Sequence, residues 1–369
     1  MQIQVVSPTA KLKMEQEFKM KNQKRIRDYG ITIGRMEPGP RNAITDVAGV
    51  TVGHTTLAQG DIHTGVTAIL PHPGSLYEDK VSAACHVING YGKSAGFIQI
   101  DELGTIETPI LLTNTLSVGE ASTALVEYML ERNPEIGRKL PTVNPVVCEC
   151  NDGYLSDIRG LHVKREHVFS ALNAASEEFE EGAVGAGTGM SCFQLKGGVG
   201  TASRLLPLGE GYVLGAMALT NFGSLRDLTV AGIPAGKLIA SEREKEVREM
   251  GSVILVLATD LPLSARQLKR VAKRASVGLA RTGAYMGNGS GELSIAFTTA
   301  NRIPQTSKSD LIPISVLHED KIDTVFRAAA ESVEEAVLNS MVCAAPTLGR
   351  DGHTRRSLRE YMDLILRNT

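Results

Sequence analysis

Four short apolar runs constrain this chain most: "TVNPVVCEC" at 142–150, "YVLGAMALTN" at 212–221, "VILVLATD" at 253–260 and "ELSIAFTTAN" at 292–301. Each is bounded by turn-forming or polar residues and is far shorter than the roughly 20 residues needed to span a bilayer, so each reads as a buried strand. Residues 44–70, "ITDVAGVTVGHTTLAQGDIHTGVTAIL", add β-branched runs broken by Gly and Asp, which is strand and turn chemistry. Between these runs the period changes. In 116–132 Ala121, Leu125, Tyr128 and Met129 share one helical face. In "REHVFSALNAASEEFEEG" Val168, Leu172 and Ala175 face inward on a helix expected to end at Gly182. In 264–284 Leu268, Val271, Ala275 and Leu279 form another stripe, and 321–342 reads as a long closing helix. Strands and helices alternate without a repeated βαβ rhythm, which favours a layered α/β sandwich over a barrel or a dinucleotide-binding fold.

The organisation expected is a charged arm, residues 1–30, followed by one domain over 31–369, because composition shifts only once and no linker or repeat interrupts the rest. With 39 Lys plus Arg against 41 Asp plus Glu, the net charge of −2 provides no field to gather nucleic acid or an anionic membrane. The basic residues Lys269, Arg270, Lys273 and Arg274 read as a solvated helix face. The arm places its apolar patch before its charges, the reverse of a secretory signal, so a cytoplasmic location is expected. Cys85, Cys148, Cys150, Cys192 and Cys343 form an odd set without a CxxC pair, which points to reduced, mostly core thiols.

The junction at Gly251 and Ser252 carries the most chemistry. A hydrophilic segment, "SEREKEVREM", runs directly into a Gly-Ser dipeptide that opens a buried strand. Such a contrast marks either ordinary turn chemistry or a point of chain cleavage. Self-cleavage needs a hydroxyl able to attack the preceding carbonyl, and Gly251 leaves that approach clear of a Cβ. The freed Ser252 would own both a hydroxyl and an α-amine, whose ordinary pKa of about 7.7–8.0 lets it serve as its own base. Further along, "YMGNGSGELSIAF" feeds Ser290 and Glu292 into a strand, either as a polar hairpin tip or as a hydroxyl and carboxylate beside Ser252.

At these residues the chain resembles the L-aminopeptidase D-Ala-esterase/amidase family, the β-aminopeptidases, a group of self-processing serine hydrolases. The likeness runs through "ITDVAGVTVGHTT", "TGVTAILP", "HVINGYGKSAGFIQIDELGTIETPILLTNTLSVG", "NPVVCECNDGYLSDIRG", "GAVGAGTGMSCFQLKGGVGTASR", "LTNFG" and "GSVILVLATDLPL", over roughly residues 30–345. It implies a four-layer αββα sandwich, similar in plan to N-terminal-nucleophile hydrolases but differently connected. It implies cleavage into α (1–251) and β (252–369) chains, with Ser252 as nucleophile, Ser290 and Glu292 as helpers and Asn221 as oxyanion donor. It assigns Glu149 to the substrate's free amine, against the alternative of a surface acid ending a strand. It also implies a small peptide, amide or ester substrate and oligomers of αβ units; no cofactor or metal is expected from the motifs present. Where the family often carries Thr and then an aromatic residue after this Glu, the chain has Cys150 and Asn151, making the pocket wall more polar and leaving α- against β-amino acid preference open.

Other features are weaker. "GAVGAGTGM" lacks GxGxxG spacing and reads as close backbone packing or a site wall rather than a nucleotide loop. His54, His63, His72 and His86 lack ligand spacing, and Cys148 with Cys150 reads as two buried thiols rather than half a soft-metal site. Asn114 and Asp260 read as turn or helix-cap residues, Asn114 with a place near the pocket also open. An acyltransferase, or an uncleaved small-molecule binding protein on the same scaffold, are the alternative functions.

Overall fold

The computed structural model describes residues 23–209, 211–240 and 251–368. Its strands are β1 (Thr51–Gln59), β2 (Ile62–Leu70), β3 (Asp79–Gly90), β4 (Thr105–Ile106), β5 (Ile110–Asn114), β6 (Val146–Cys150), β7 (Ser191–Cys192), β8 (Leu195–Lys196), β9 (Val199–Leu206), β10 (Tyr212–Asn221), β11 (Ser252–Thr259), β12 (Gly291–Pro304), β13 (Thr347–Leu348) and β14 (Thr354–Arg355). A four-stranded sheet runs β1-β2-β5-β6 and a six-stranded sheet runs β4-β3-β12-β11-β10-β9. Helices are α1 (Phe97–Leu103), α2 (Val118–Arg132), α3 (Arg165–Asn173), α4 (Ala235–Ile239), α5 (Ala265–Arg281), α6 (Ile322–Val342) and α7 (Met362–Leu366).

The period-2 pattern explains the layering, because side chains one residue apart on a strand leave opposite faces. On β11, Ile254, Val256 and Ala258 join Met217, Leu219, Cys148 and Cys150 in a core between the sheets. Val253, Leu255 and Leu257 turn the other way and pack with Leu268, Val271, Val333 and Val337 of α5 and α6. Behind the smaller sheet, Val66, Leu111 and Val147 pack against Ala121, Leu125, Val168 and Leu172 of α2 and α3. The four-layer αββα arrangement expected from the sequence is therefore present.

Two parallel pairs, β5 with β6 and β11 with β12, interrupt the otherwise antiparallel sheets. The second bears on the site. A parallel partner of β11 must return through a crossover, here α5, so the beginnings of β11 and β12 lie side by side, with Ser252 opposite Gly291. The neighbour on the other side, β10, is antiparallel and ends where β11 begins, placing Asn221 opposite Ser252.

Three local expectations are corrected. The helix expected to reach Gly182 stops at Asn173. Ser176 instead exchanges backbone hydrogen bonds with Val52, and Gly182 pairs with Val199 with its Cα packed on the 343–344 backbone. Asp260 does not cap α5; its carboxylate accepts from Val213 N–H at 2.8 Å, and Ser264 is the cap. The packed body also reaches back into the expected arm, since Ile26 is fully buried and its N–H donates to Asn339. "SEREKEVREM" lies outside the described residues.

Candidate active site

Strand pairing brings four sequence-selected positions together at one strand end. Asn221 and Gly291 flank Ser252 on either side, and Ser290 and Glu292 adjoin Gly291 in the chain. By alternation Ser252 shares the face of Ile254 and Val256, which looks between the sheets. All four polar side chains are buried: Ser252 is 3% exposed, Asn221 8%, Ser290 0% and Glu292 1%. The hydroxyls of Ser252 and Ser290 have no hydrogen-bond partner of good geometry, a costly condition for a buried polar atom outside a functional site.

The peptide before Ser252 is held. Gly251 C=O accepts a hydrogen bond from Gly291 N–H at 2.9 Å. A side chain at 251 could not be accommodated, because a Cβ there would stand 2.1 Å from Asn221 O and 2.8 Å from the Phe222 Cα. The glycine is thus fixed by close approach to β10 as well as by the requirement for an open carbonyl. The loop carrying Ser290 is pinned from β3, where Asn89 Nδ2 donates to Gly287 O at 3.2 Å and also to Ser290 O. Beside it the β3–β12 ladder slips by one residue, leaving Ile88 unpaired between Asn89 and Val87. A bulge of this kind re-aims side chains at a site edge.

Glu149 lies on β6, in the facing sheet, and is 3% exposed, which removes the reading of it as a surface acid. One carboxylate oxygen accepts from Lys93 N–H at 2.8 Å and the other from the Thr115 hydroxyl. Both donors are neutral. The Lys93 ammonium lies over the Tyr91 ring, 4.7 Å from its centroid. Gly92 lies between the carboxylate and the β12 terminus, since a Cβ there would be 3.5 Å from Glu149 Oε1 and 4.0 Å from the Gly291 Cα. Cys150, the next residue, is buried close to the Ser252 side chain, and its thiol pKa is pushed well up, first by burial and then by the Glu149 charge. It therefore remains a protonated neighbour of Ser252.

Asn114 is the N-cap expected of it, accepting from Ser117 N–H at 3.0 Å. Its Nδ2 also donates to Thr64 at 2.7 Å, which ties it to a buried cluster the sequence did not reveal. That cluster contains Asp152, 1% exposed, and Lys196, 0% exposed. Burial raises the Asp152 pKa to about 7 and lowers that of Lys196 to about 7, and in each case the other's charge opposes the shift. In the sequence, "NDG" gives Asp152 the look of a turn residue after the 142–150 strand, and a single lysine within "SCFQLKGG" gives no sign of being internal. Its flanking Leu195 and Gly197 were the available signal. The histidines serve the scaffold: His54 Nδ1 meets the Thr67 hydroxyl at 2.9 Å and Nε2 the Glu180 carbonyl at 3.1 Å, while His72 Nε2 donates to Asp79 O at 2.8 Å. His63 and His86 lie on β2 and β3. The glycines of "GAVGAGTGM" are used for close packing; a Cβ at Gly187 would lie 2.6 Å from Gly182 O and from Val199 N.

An αββα sandwich with a serine at the start of a central strand, flanked by an asparagine and with a buried carboxylate on the facing sheet, has the make-up of an N-terminal-nucleophile type of serine hydrolase. The chain matches the model of peptidase family S58 over residues 42–355 and belongs to that family. It is similar to the β-peptidyl aminopeptidase BapA of Sphingosinicella microcystinivorans, with 39% identity over 90% of this chain and 89% of that one. Among solved structures it superposes on the PH0078 protein from Pyrococcus horikoshii OT3 with a TM-score of 0.89 and 52% identity, covering 94% and 99% of the two chains. It likewise matches the L-aminopeptidase D-Ala-esterase/amidase from Ochrobactrum anthropi, described as a variant of the Ntn hydrolase fold, with a TM-score of 0.87 and 38% identity over 93% and 98%. The protein is an aminopeptidase of this family, and the comparisons support hydrolysis over the transferase and binding-protein alternatives.

Proposed function

We propose that the chain cuts its own 251–252 peptide and then uses Ser252 as an amino-terminal nucleophile against small substrates with a free amine. The single observation that carries this reading is the buried Ser252 hydroxyl without a partner of good geometry, at a strand end where the preceding carbonyl is already held by Gly291 N–H. In the first step Ser252 Oγ attacks the Gly251 carbonyl carbon. The C–N bond breaks as the Gly251–Oγ ester forms, and the nitrogen becomes the α-amine of Ser252. Water then opens the ester, returning the hydroxyl and leaving a carboxylate on Gly251.

In turnover the same hydroxyl attacks the substrate carbonyl and its proton passes to the α-amine, with Ser290 and Glu292 assisting. Asn221 Nδ2 donates to the developing oxyanion. The leaving amine departs with a proton, and water hydrolyses the acyl-enzyme. Glu149 receives the substrate ammonium. Its buried carboxylate has neutral donors around it, and a cation supplies the opposite charge that a site so removed from water favours. This arrangement restricts the enzyme to amino-terminal residues of peptides, amides and esters. The BapA relative is a β-peptidyl aminopeptidase and the Ochrobactrum anthropi protein an L-aminopeptidase D-Ala-esterase/amidase, so both β-peptides and L-amino-acid amides are substrates to assay.

Assembly of αβ units is part of the same reading, supported by Leu311, Ile312, Ile314 and Val316, which stand exposed along one extended segment. A cytoplasmic site fits five buried free thiols. No helix among the described residues is long and apolar enough to cross a membrane. Intact mass and amino-terminal sequencing of purified protein test the central claim. Active material should begin at Ser252 in one of its two chains; full activity in a single uncut chain overturns it.

A further inference from the structure

We infer that Lys196 is a positioning residue that orients and polarises the Asn221 side chain through the Met190–Ser191 peptide. The inference rests on the reading of Asn221 as oxyanion donor. Asn221 Oδ1 accepts a hydrogen bond from Ser191 N–H at 2.9 Å, which fixes which end of the amide is oxygen and turns Nδ2 away from Ser191. The carbonyl of that same peptide unit, Met190 C=O, accepts from Lys196 Nζ at 3.0 Å. A continuous chain of donors therefore runs from a buried ammonium, through one peptide group, to the amide.

Each link strengthens the next. An ammonium on the Met190 carbonyl draws electron density from the peptide and makes Ser191 N–H a better donor; that bond in turn makes the Nδ2 hydrogens of Asn221 more positive. Lys196 is committed to this arrangement. Its three N–H groups are used on Gly187 O at 3.0 Å, Met190 O at 3.0 Å and Gly197 O at 2.7 Å, and no part of the residue reaches solvent. Asp152, also buried, is its acidic neighbour, and Cys192 lies on the same side.

The intervening hairpin, β7 and β8, is built to hold position. Phe193 and Gln194 at its turn have φ of 49° and 59°, a region that side-chain-bearing residues enter only when surroundings enforce it. Phe193 N–H donates to Phe222 O at 2.6 Å, and Gln194 Oε1 accepts from Leu225 N–H at 3.0 Å. Both contacts fasten the hairpin to the chain just beyond Asn221. A surface strand end would not need an internal lysine and a strained turn; an amide that must present one face to a reacting carbonyl does.

A double-mutant cycle of Lys196→Met and Asn221→Ala tests the inference on full-length protein. Lys196→Met should lower kcat at least tenfold with KM changed less than twofold, and should add nothing to the loss caused by Asn221→Ala. Lys196→Arg, which keeps the charge, should recover part of the rate. Should Lys196→Met fail to accumulate as folded protein, Lys196→Gln takes its place in the cycle. If Asn221→Ala slows scission so that mature enzyme does not accumulate, the same cycle is read on the rate of chain cleavage. Unchanged kcat in the neutral variant, or losses that multiply, overturn the positioning role. Wild-type protein that is active while Asn221→Ala is equally active would instead overturn the oxyanion assignment on which it rests.

Discussion

Two buried polar regions lie on the six-stranded sheet, and they are built in opposite ways. Where β9 packs on α6, Arg204 is completely buried and saturated: it reaches Glu335 at 2.7 Å, Ser203 O at 2.7 Å, Ile33 O at 2.8 Å and Glu331 at 3.4 Å. Glu335 in turn takes Arg27 at 2.7 and 2.9 Å and the Asn42 amide at 2.5 Å. At the ends of β10, β11 and β12 the Ser252 and Ser290 hydroxyls are equally buried and have no such partners. The first region uses its polarity to hold residues 27–42 and β9 to a helix; in the proposed function the second leaves its hydroxyls open for atoms that arrive with substrate. Burial does not tell these two regions apart, whereas the hydrogen-bond saturation of Arg204 against the open hydroxyls of Ser252 and Ser290 does.

That contrast can be broken most severely at Ser252. Ser252→Ala should abolish chain scission and all turnover while leaving the melting temperature within a few degrees, as gel, assay and calorimetry would show; loss of folding would mean that the hydroxyl belongs to the structural class. Glu335→Ala should do the reverse, costing about 3–5 kcal/mol in denaturant unfolding by leaving Arg204 and Arg27 facing a lost partner, with activity per folded molecule retained. Asn221→Ala should reduce kcat by roughly 10²–10³-fold, the usual consequence of losing one oxyanion donor. Glu149→Gln should cost about 1.5–3 kcal/mol in kcat/KM toward free-amine substrates, as one charged hydrogen bond is lost, and should leave scission unchanged.

A further effect, read through pH, lies outside both regions. Burial lowers the His54 pKa to about 4, partly opposed by its bond to the Glu180 carbonyl. The folded state therefore refuses a proton that the unfolded chain accepts near pH 6.5, so stability falls as pH drops from about 6.5 toward 4, by up to about 1.4 kcal/mol per pH unit. Thermal unfolding across that range should show a shallower acid slope in His54→Gln than in wild type.

Strand and helix identities were legible because period and apolar content are local properties. The stripe Leu268, Val271, Ala275 and Leu279 is buried as read, and β11 begins at Ser252. Glu149 was legible as an acid closing an apolar strand. What was hidden depends on partners distant in sequence. Nothing near Lys196 announces that Gly187, Met190 and Gly197 will turn their carbonyls on it, nor that Asp152, some forty positions away, will be its neighbour. Likewise Gly182 has the local look of a helix end, yet it serves a backbone crossing against residues 343–344 that no helical period encodes.

The order β3-β12-β11-β10 in the larger sheet carries a lasting result. If the chain is severed before Ser252, two strands of the downstream fragment stay stitched between two strands of the upstream one, so the fragments cannot drift apart without dismantling the sheet. Once dismantled by heat, they would have to find each other again by collision. Recovery of the matured enzyme after melting should consequently depend on its concentration, while an unsevered variant should recover at a rate indifferent to dilution.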